Sequence, residues 1–153
     1  AANTLDFLDC VIEEMPFPIQ RVQTDRGLEF FAEKVQKKMM EYGIKFRPNK
    51  PGSPHLNGKV ERSQKTDKTE FYATVDITSE NLQDQLAEWQ HYYNWLRPHS
   101  ALKGKTPIER YFELSEETPF SDEVQNQYNP SDERIQNANY KVDLEIAKLK
   151  RSL

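Results

Sequence analysis

Only two short runs within residues 1–112 read as β-strands, and one helix-spaced run separates them. Residues 19–24 alternate in side-chain character and contain β-branched residues, and Ile44-Lys45-Phe46 is the second run. Between them, over residues 29–42, Phe31, Val35, Met39 and Tyr42 recur at helical spacing, with Gly43 placed to close the helix. Two strands this short make a marginal sheet. The helices must therefore pack on one another or on a second chain, and the expectation is homo-oligomerisation, domain swapping or limited stability. The 153 residues suit one domain, but the hydrophobic content of 36% and mean hydropathy of −0.90 leave little apolar surface to bury.

The remaining chain reads mostly as helix and loop. Leu5, Leu8, Val11 and Ile12 share a helical face that Asn3 or Thr4 can cap, and Met15-Pro16-Phe17-Pro18 ends that helix. Residues 47–58 hold three prolines and two glycines and form a loop. Helices are expected over residues 57–71 and 79–96, the second with Leu82, Leu86, Trp89, Tyr93 and Leu96 as a core stripe. Thr106-Pro107 is an N-cap followed by an N1 proline. Residues 115–138 are polar and acidic and read as a linker or loosely held arm. Tyr140, Val142, Leu144 and Ile146 alternate with polar neighbours, which favours a terminal strand, although the composition also permits a helix. The sole cysteine, Cys10, excludes an internal disulfide and a cysteine-based zinc site and reads as a small buried hydrophobe. There is no run of 18 apolar residues and no basic, then apolar, leader, so no membrane partner and a cytoplasmic location are expected.

Charge is uneven. Residues 20–72 carry twelve bases against seven acids, whereas residues 1–19 carry four acids and no base, and residues 112–153 carry nine acids against five bases. The local sign matters more than the net −4 for a contact face. Two carboxylates fall within the basic segment. Asp25 follows the first strand in Gln23-Thr24-Asp25-Arg26-Gly27-Leu28-Glu29-Phe30, where a strand end holds a side chain rigidly and Gly27 provides the exit turn. Glu61 lies near the start of a helix, separated from Asp25 by thirty-five residues, behind the loop Pro51-Gly52-Ser53-Pro54-His55-Leu56-Asn57-Gly58-Lys59-Val60. Paired carboxylates suit Mg²⁺, a hard cation held by one or two carboxylates plus water and substrate phosphate. Such ions activate the attacking oxygen and stabilise the leaving oxygen in phosphodiester chemistry. An acidic residue beside a turn is also an ordinary solvated or capping group.

Taken together, these motifs resemble the retroviral-integrase-type catalytic core of DDE transposases, especially bacterial insertion-sequence enzymes. The resemblance rests on Thr24-Asp25-Arg26-Gly27-x-Glu29-Phe30, on Gly52-Ser53-Pro54-His55-x-Asn57-Gly58-Lys59-Val60-Glu61-Arg62, and on Asn94-x-x-Arg97-Pro98-His99-x-Ala101-Leu102-x-Gly104-x-Thr106-Pro107. It covers roughly residues 1–112, leaving 113–153 as an acidic C-terminal extension. It implies an α/β, RNase H-like fold, dependence on Mg²⁺ or Mn²⁺, and cutting and joining of transposon DNA ends. Asp25 and Glu61 correspond to the second and third acids of the triad. The first acid and the first three strands have no counterpart here, since Asp6 and Asp9 fall within a helix. The chain is therefore expected to be a helix-rich fragment that binds metal weakly and is inactive, or nearly so, alone.

Lys65 and Lys68 lie four and seven residues after Glu61, on one helical face, and the resemblance implies that they contact DNA. Arg62 points elsewhere and is expected to brace the fold through an ion pair. His55 and Asn57 either touch DNA or position Glu61. Arg97-Pro98-His99 is read as ordering a turn between helices. The implied partner is DNA, in a bacterial cytoplasm at the nucleoid. The alternatives are a non-catalytic DNA-binding or assembly module, and an RNase H-like nuclease that cuts without joining.

Overall fold

A computed structural model describes residues 2–153. The chain is helix-rich, with one two-stranded parallel sheet among the described residues. It divides into two compact units, residues 1–57 with 119–153, and residues 58–118.

In the first unit, α1 (Ala2–Glu14) is followed by β1 (Arg21–Val22), α2 (Leu28–Phe31), α3 (Glu33–Glu41) and β2 (Lys45–Phe46). Arg21 pairs with Lys45 and Val22 with Phe46. The amides of Lys45, Arg47 and Asn49 donate to the carbonyls of Gln20, Val22 and Thr24 at 3.0, 3.0 and 2.8 Å, so the hydrogen-bonded ladder outruns the two-residue strands. Leu8, Val35, Met39, Ile44 and Phe46 form the buried core, and Leu5, Ile12, Ile19, Val22, Phe30 and Phe31 pack around it.

The helix expected over residues 29–42 is broken at Ala32, which is extended at φ −57° and ψ 127°. The break follows from burial. The Phe31 ring meets Phe46 edge-on at 5.5 Å, and the buried Gln36 side chain donates to the carbonyl of Phe31 at 3.1 Å, satisfying an acceptor the helix has lost. Gly43 closes α3 as the sequence implies. At φ +67° its amide donates to Met40 O, and the Ile44 amide donates to Met39 O, the paired bonds of a Schellman stop that delivers Ile44 into the core.

Residues 119–153 correct two readings. The polar stretch is not a loose arm. It contains α7 (Ser121–Gln127), a 3₁₀ turn at Pro130–Asp132, and a segment held down by side chains. Arg47 donates to both carboxylate oxygens of the nearly buried Glu133 at 2.7 and 2.6 Å. Gln36 and Gln136 exchange hydrogen bonds of 2.9 and 2.7 Å, and Gln136 Nε2 reaches Phe46 O at 2.9 Å. The terminal segment is helix α8 (Tyr140–Arg151), not a strand. Its inward residues are Tyr140, Asp143, Ile146 and Ala147, a period near 3.6, whereas Val142 and Leu144 of the apparent alternation face out. Asn139 caps it by accepting from Lys141 N, and Asp143 is neutralised by Arg134 at 3.0 Å. Cys10, expected to be buried, is exposed on α1.

The second unit holds α4 (Gly58–Thr66), which widens into a π-helical stretch at Asp67–Tyr72, then α5 (Leu82–Trp95) and α6 (Pro107–Glu113). Its apolar burial is slight. Phe71 is its one buried apolar side chain among the described residues; Leu82, Leu86, Trp89 and Tyr93 are half-buried, and Leu96 faces out. An aromatic chain substitutes for an aliphatic core. Phe71 stacks on Trp89 at 5.8 Å, Trp89 meets Tyr93 at 5.9 Å, and Tyr93 meets His99 at 4.6 Å. Thr106 caps α6 as the Thr-Pro dipeptide implies, and Glu109 completes a capping box.

Candidate functional site

Asp25 stands where the ladder ends. Its Oδ1 accepts the Gly27 amide at 3.0 Å, closing an Asx turn, and the rest of the carboxylate is exposed. Gly27 is not required here for a left-handed backbone, since its φ is −58°. The Glu29 carboxylate lies 2.7–2.8 Å from where a Cβ would stand, and that exposed, flexible side chain could swing aside.

Asn49, which the sequence does not single out, is nearly buried three residues beyond β2 and is the hub behind Asp25. Its Oδ1 accepts from Gln23 Nε2 at 2.6 Å, and its Nδ2 donates to Asn57 Oδ1 at 2.5 Å. The Asn57 side-chain oxygen is therefore engaged in positioning the residue directly before α4. His55 is exposed in the preceding 3₁₀ turn. Asp25, His55 and Asn57 belong to the first unit, and Glu61, Arg62, Lys65 and Lys68 to the second.

Glu61 occupies the first turn of α4, where the helix dipole favours a carboxylate. Glu61, Lys65 and Lys68 are all exposed. The opposite side of the same helix packs on α5: Asp67 Oδ1 accepts from Trp89 Nε1 at 2.9 Å, and Phe71 stacks on that indole. The α5 contacts thus fix the helix and leave Glu61 and the two lysines facing outward. Lys68 lies in the wide turn, not in the regular helix. Arg62 is exposed and makes no ion pair among the described residues, so the bracing role expected of it falls elsewhere. That role belongs to Arg97, whose guanidinium donates to both oxygens of Glu70 at 2.7 and 2.6 Å and lies over the Tyr93 ring. The same hydrogen bonds hold the Glu70 carboxyl below its ordinary range. His99 belongs to the turn: its amide donates to Lys105 O, and Lys103 and Gly104 follow at positive φ.

The donors available to a cation are carboxylate oxygens, a set that suits Mg²⁺ or Mn²⁺. Asp25 offers an oxygen beyond the one held by Gly27, and Glu61 is exposed with no ion-pair partner among the described residues. No group of three or more His, Cys, Asp or Glu side chains is gathered in metal-ligating geometry among those residues.

The integrase core domain family model matches residues 42–107. This segment runs from the end of α3 through the loop and α4 to the Thr106-Pro107 cap. It contains Glu61, Lys65 and Lys68, and Asp25 lies before it. The match supports an integrase-type catalytic core, a class tied to DNA integration and recombination that binds DNA and uses divalent metal ions. No curated protein matches the chain. No helix among the described residues is long and apolar enough to cross a membrane.

Proposed function

We propose that this chain is part of the catalytic core of a DDE transposase of the bacterial insertion-sequence type, with an RNase H-like ancestry. Asp25 and Glu61 are its second and third acids, and each is a ligand for Mg²⁺ or Mn²⁺. When bound, the cation activates the attacking oxygen and stabilises the leaving oxygen of a phosphodiester. Lys65 and Lys68 receive the DNA backbone, with Arg62, His55 and Asn57 at the margin of that contact. The observation that carries the reading is the exposed Glu61 and Lys65 of α4 and Lys68 of its π-helical continuation, within the segment matching an integrase core and on a helix held from its other side by Trp89 and Phe71.

Anisotropy titrations of duplex DNA against salt test it. The double variant Lys65→Ala/Lys68→Ala is expected to weaken binding and to reduce the log–log salt slope by about 2, near one unit per phosphate contact. An unchanged slope would remove the two lysines from the interface. With two acids and no third, strand transfer by this chain alone is expected near background in Mg²⁺ or Mn²⁺. Vigorous joining of a 3′ end would overturn the fragment reading, and nicking without joining would favour the nuclease alternative.

A further inference from the structure

Arg26 lies between Asp25 and Gly27 and points away from both into the C-terminal segment. Its guanidinium donates to Ala138 O at 2.7 Å and Asn137 O at 3.0 Å, and reaches Asn49 O at 3.4 Å. The rings of Phe31 and Tyr140 lie 4.8 and 5.5 Å from it. All of these groups belong to the first unit. The same segment is also anchored by the Gln36–Gln136 exchange and the Arg47–Glu133 pair. Three carbonyls and two aromatic faces satisfy one guanidinium, a fork geometry that lysine cannot reproduce.

We propose that residues 133–140, which lie outside the family match, are a built-in strap that positions Asp25 through Arg26. Arg26 is thus a positioning residue, which never meets the cation itself. The assignment rests on Asp25 being a metal ligand. The reasoning is geometric. The Asp25 carboxylate has a single tether, the Gly27 amide, and both residues are bonded to Arg26. Fixing Arg26 holds the middle of the turn. Releasing it leaves a three-residue loop held locally by exposed hydrogen bonds, Gly27 N to Asp25 Oδ1 and Thr24 Oγ1 to Asp25 O.

The test uses the full chain and Mn²⁺ alone, read by NMR at the Gly27 amide. Arg26→Lys and, independently, Gln136→Ala are expected to speed Gly27 amide exchange at least about tenfold relative to the Met39 amide. They are also expected to weaken the Mn²⁺ broadening of Gly27 at least about threefold in apparent affinity. Leu8→Ala and the milder Ile12→Val lower stability in the same unit without touching the strap, and should leave both readouts at their wild-type ratio. The strap is overturned if Gly27 exchange is unchanged in both strap variants, or if the core variants raise it as much. Wild-type protein that shows no Mn²⁺ effect at Gly27 sinks the metal role of Asp25 instead, and the exchange comparison then decides the strap by itself.

Discussion

The two units solve the same problem with different materials. The first buries five aliphatic and aromatic side chains in a common core and closes it with a strap of hydrogen-bonded polar groups. The second has one buried apolar side chain among the described residues and relies on ring stacking, an indole hydrogen bond, a bidentate ion pair and a capping box. Hydrophobic burial scales with area and tolerates imprecise geometry, whereas the directional contacts of the second unit each contribute little and depend on alignment. The unit carrying Glu61 and the two lysines is thus the one whose shape is set by orientation more than by volume.

Variants in the core should separate the units most. Met39→Ala, at a side chain 1% exposed, is expected to cost about 2–5 kcal/mol and to lower the urea midpoint seen by probes in the first unit. An equal drop at Trp89 fluorescence would show that the two units unfold as one, breaking the contrast. Arg47→Ala should follow at about 3 kcal/mol, because it strands a Glu133 carboxylate only 4% exposed. Arg47→Ala/Glu133→Leu should recover much of that loss, and failure to recover would mean the strap is held elsewhere. In the second unit Trp89→Phe keeps a ring against Phe71 but removes the bond to Asp67, and about 1 kcal/mol is expected in thermal denaturation.

The smallest effect concerns acid. Arg97 keeps the Glu70 carboxyl below its ordinary 4.5, so the pair stabilises the folded state above that value and loses its contribution as pH falls through the lowered folded-state value. The carboxylate is 42% exposed, so solvent screening limits the pair to about 0.5 kcal/mol. Glu70→Gln should flatten that part of the stability–pH curve for the second unit and leave the first unchanged. A flattening in both would again join what the packing separates.

Local signals in the sequence were reliable where one residue type performs one task. Gly43 at the end of α3 and Thr106-Pro107 at the start of α6 were legible because a positive φ or a cap admits few residues. Position was legible too for Asp25 at a strand exit and Glu61 early in a helix. What escaped depended on distant partners. The break at Ala32 follows from Phe46 and the Gln36 amide, and the strap follows from carbonyls that any residue supplies. Residues 140–146 alternate in sequence, but burying Asp143 against Arg134 selects the helical period over the strand period. Cys10 was misplaced because a lone cysteine says nothing about which side of an amphipathic helix it occupies.

The wide turn at Asp67–Tyr72 has a consequence for chain length. A π turn accommodates an extra residue in a helix, so the spacing from Glu61 to Glu70 is one residue longer in register than a uniform α-helix would give. Removing one residue within it, such as Thr69, would let the stretch rewind as regular α-helix while the segment that follows keeps its bearing on α5. A deletion in the regular turns of α4, such as Gln64, would instead rotate everything after it by about 100° relative to Glu61 and carry Phe71 off the indole. The wide turn is therefore the place where this helix tolerates the loss of a residue.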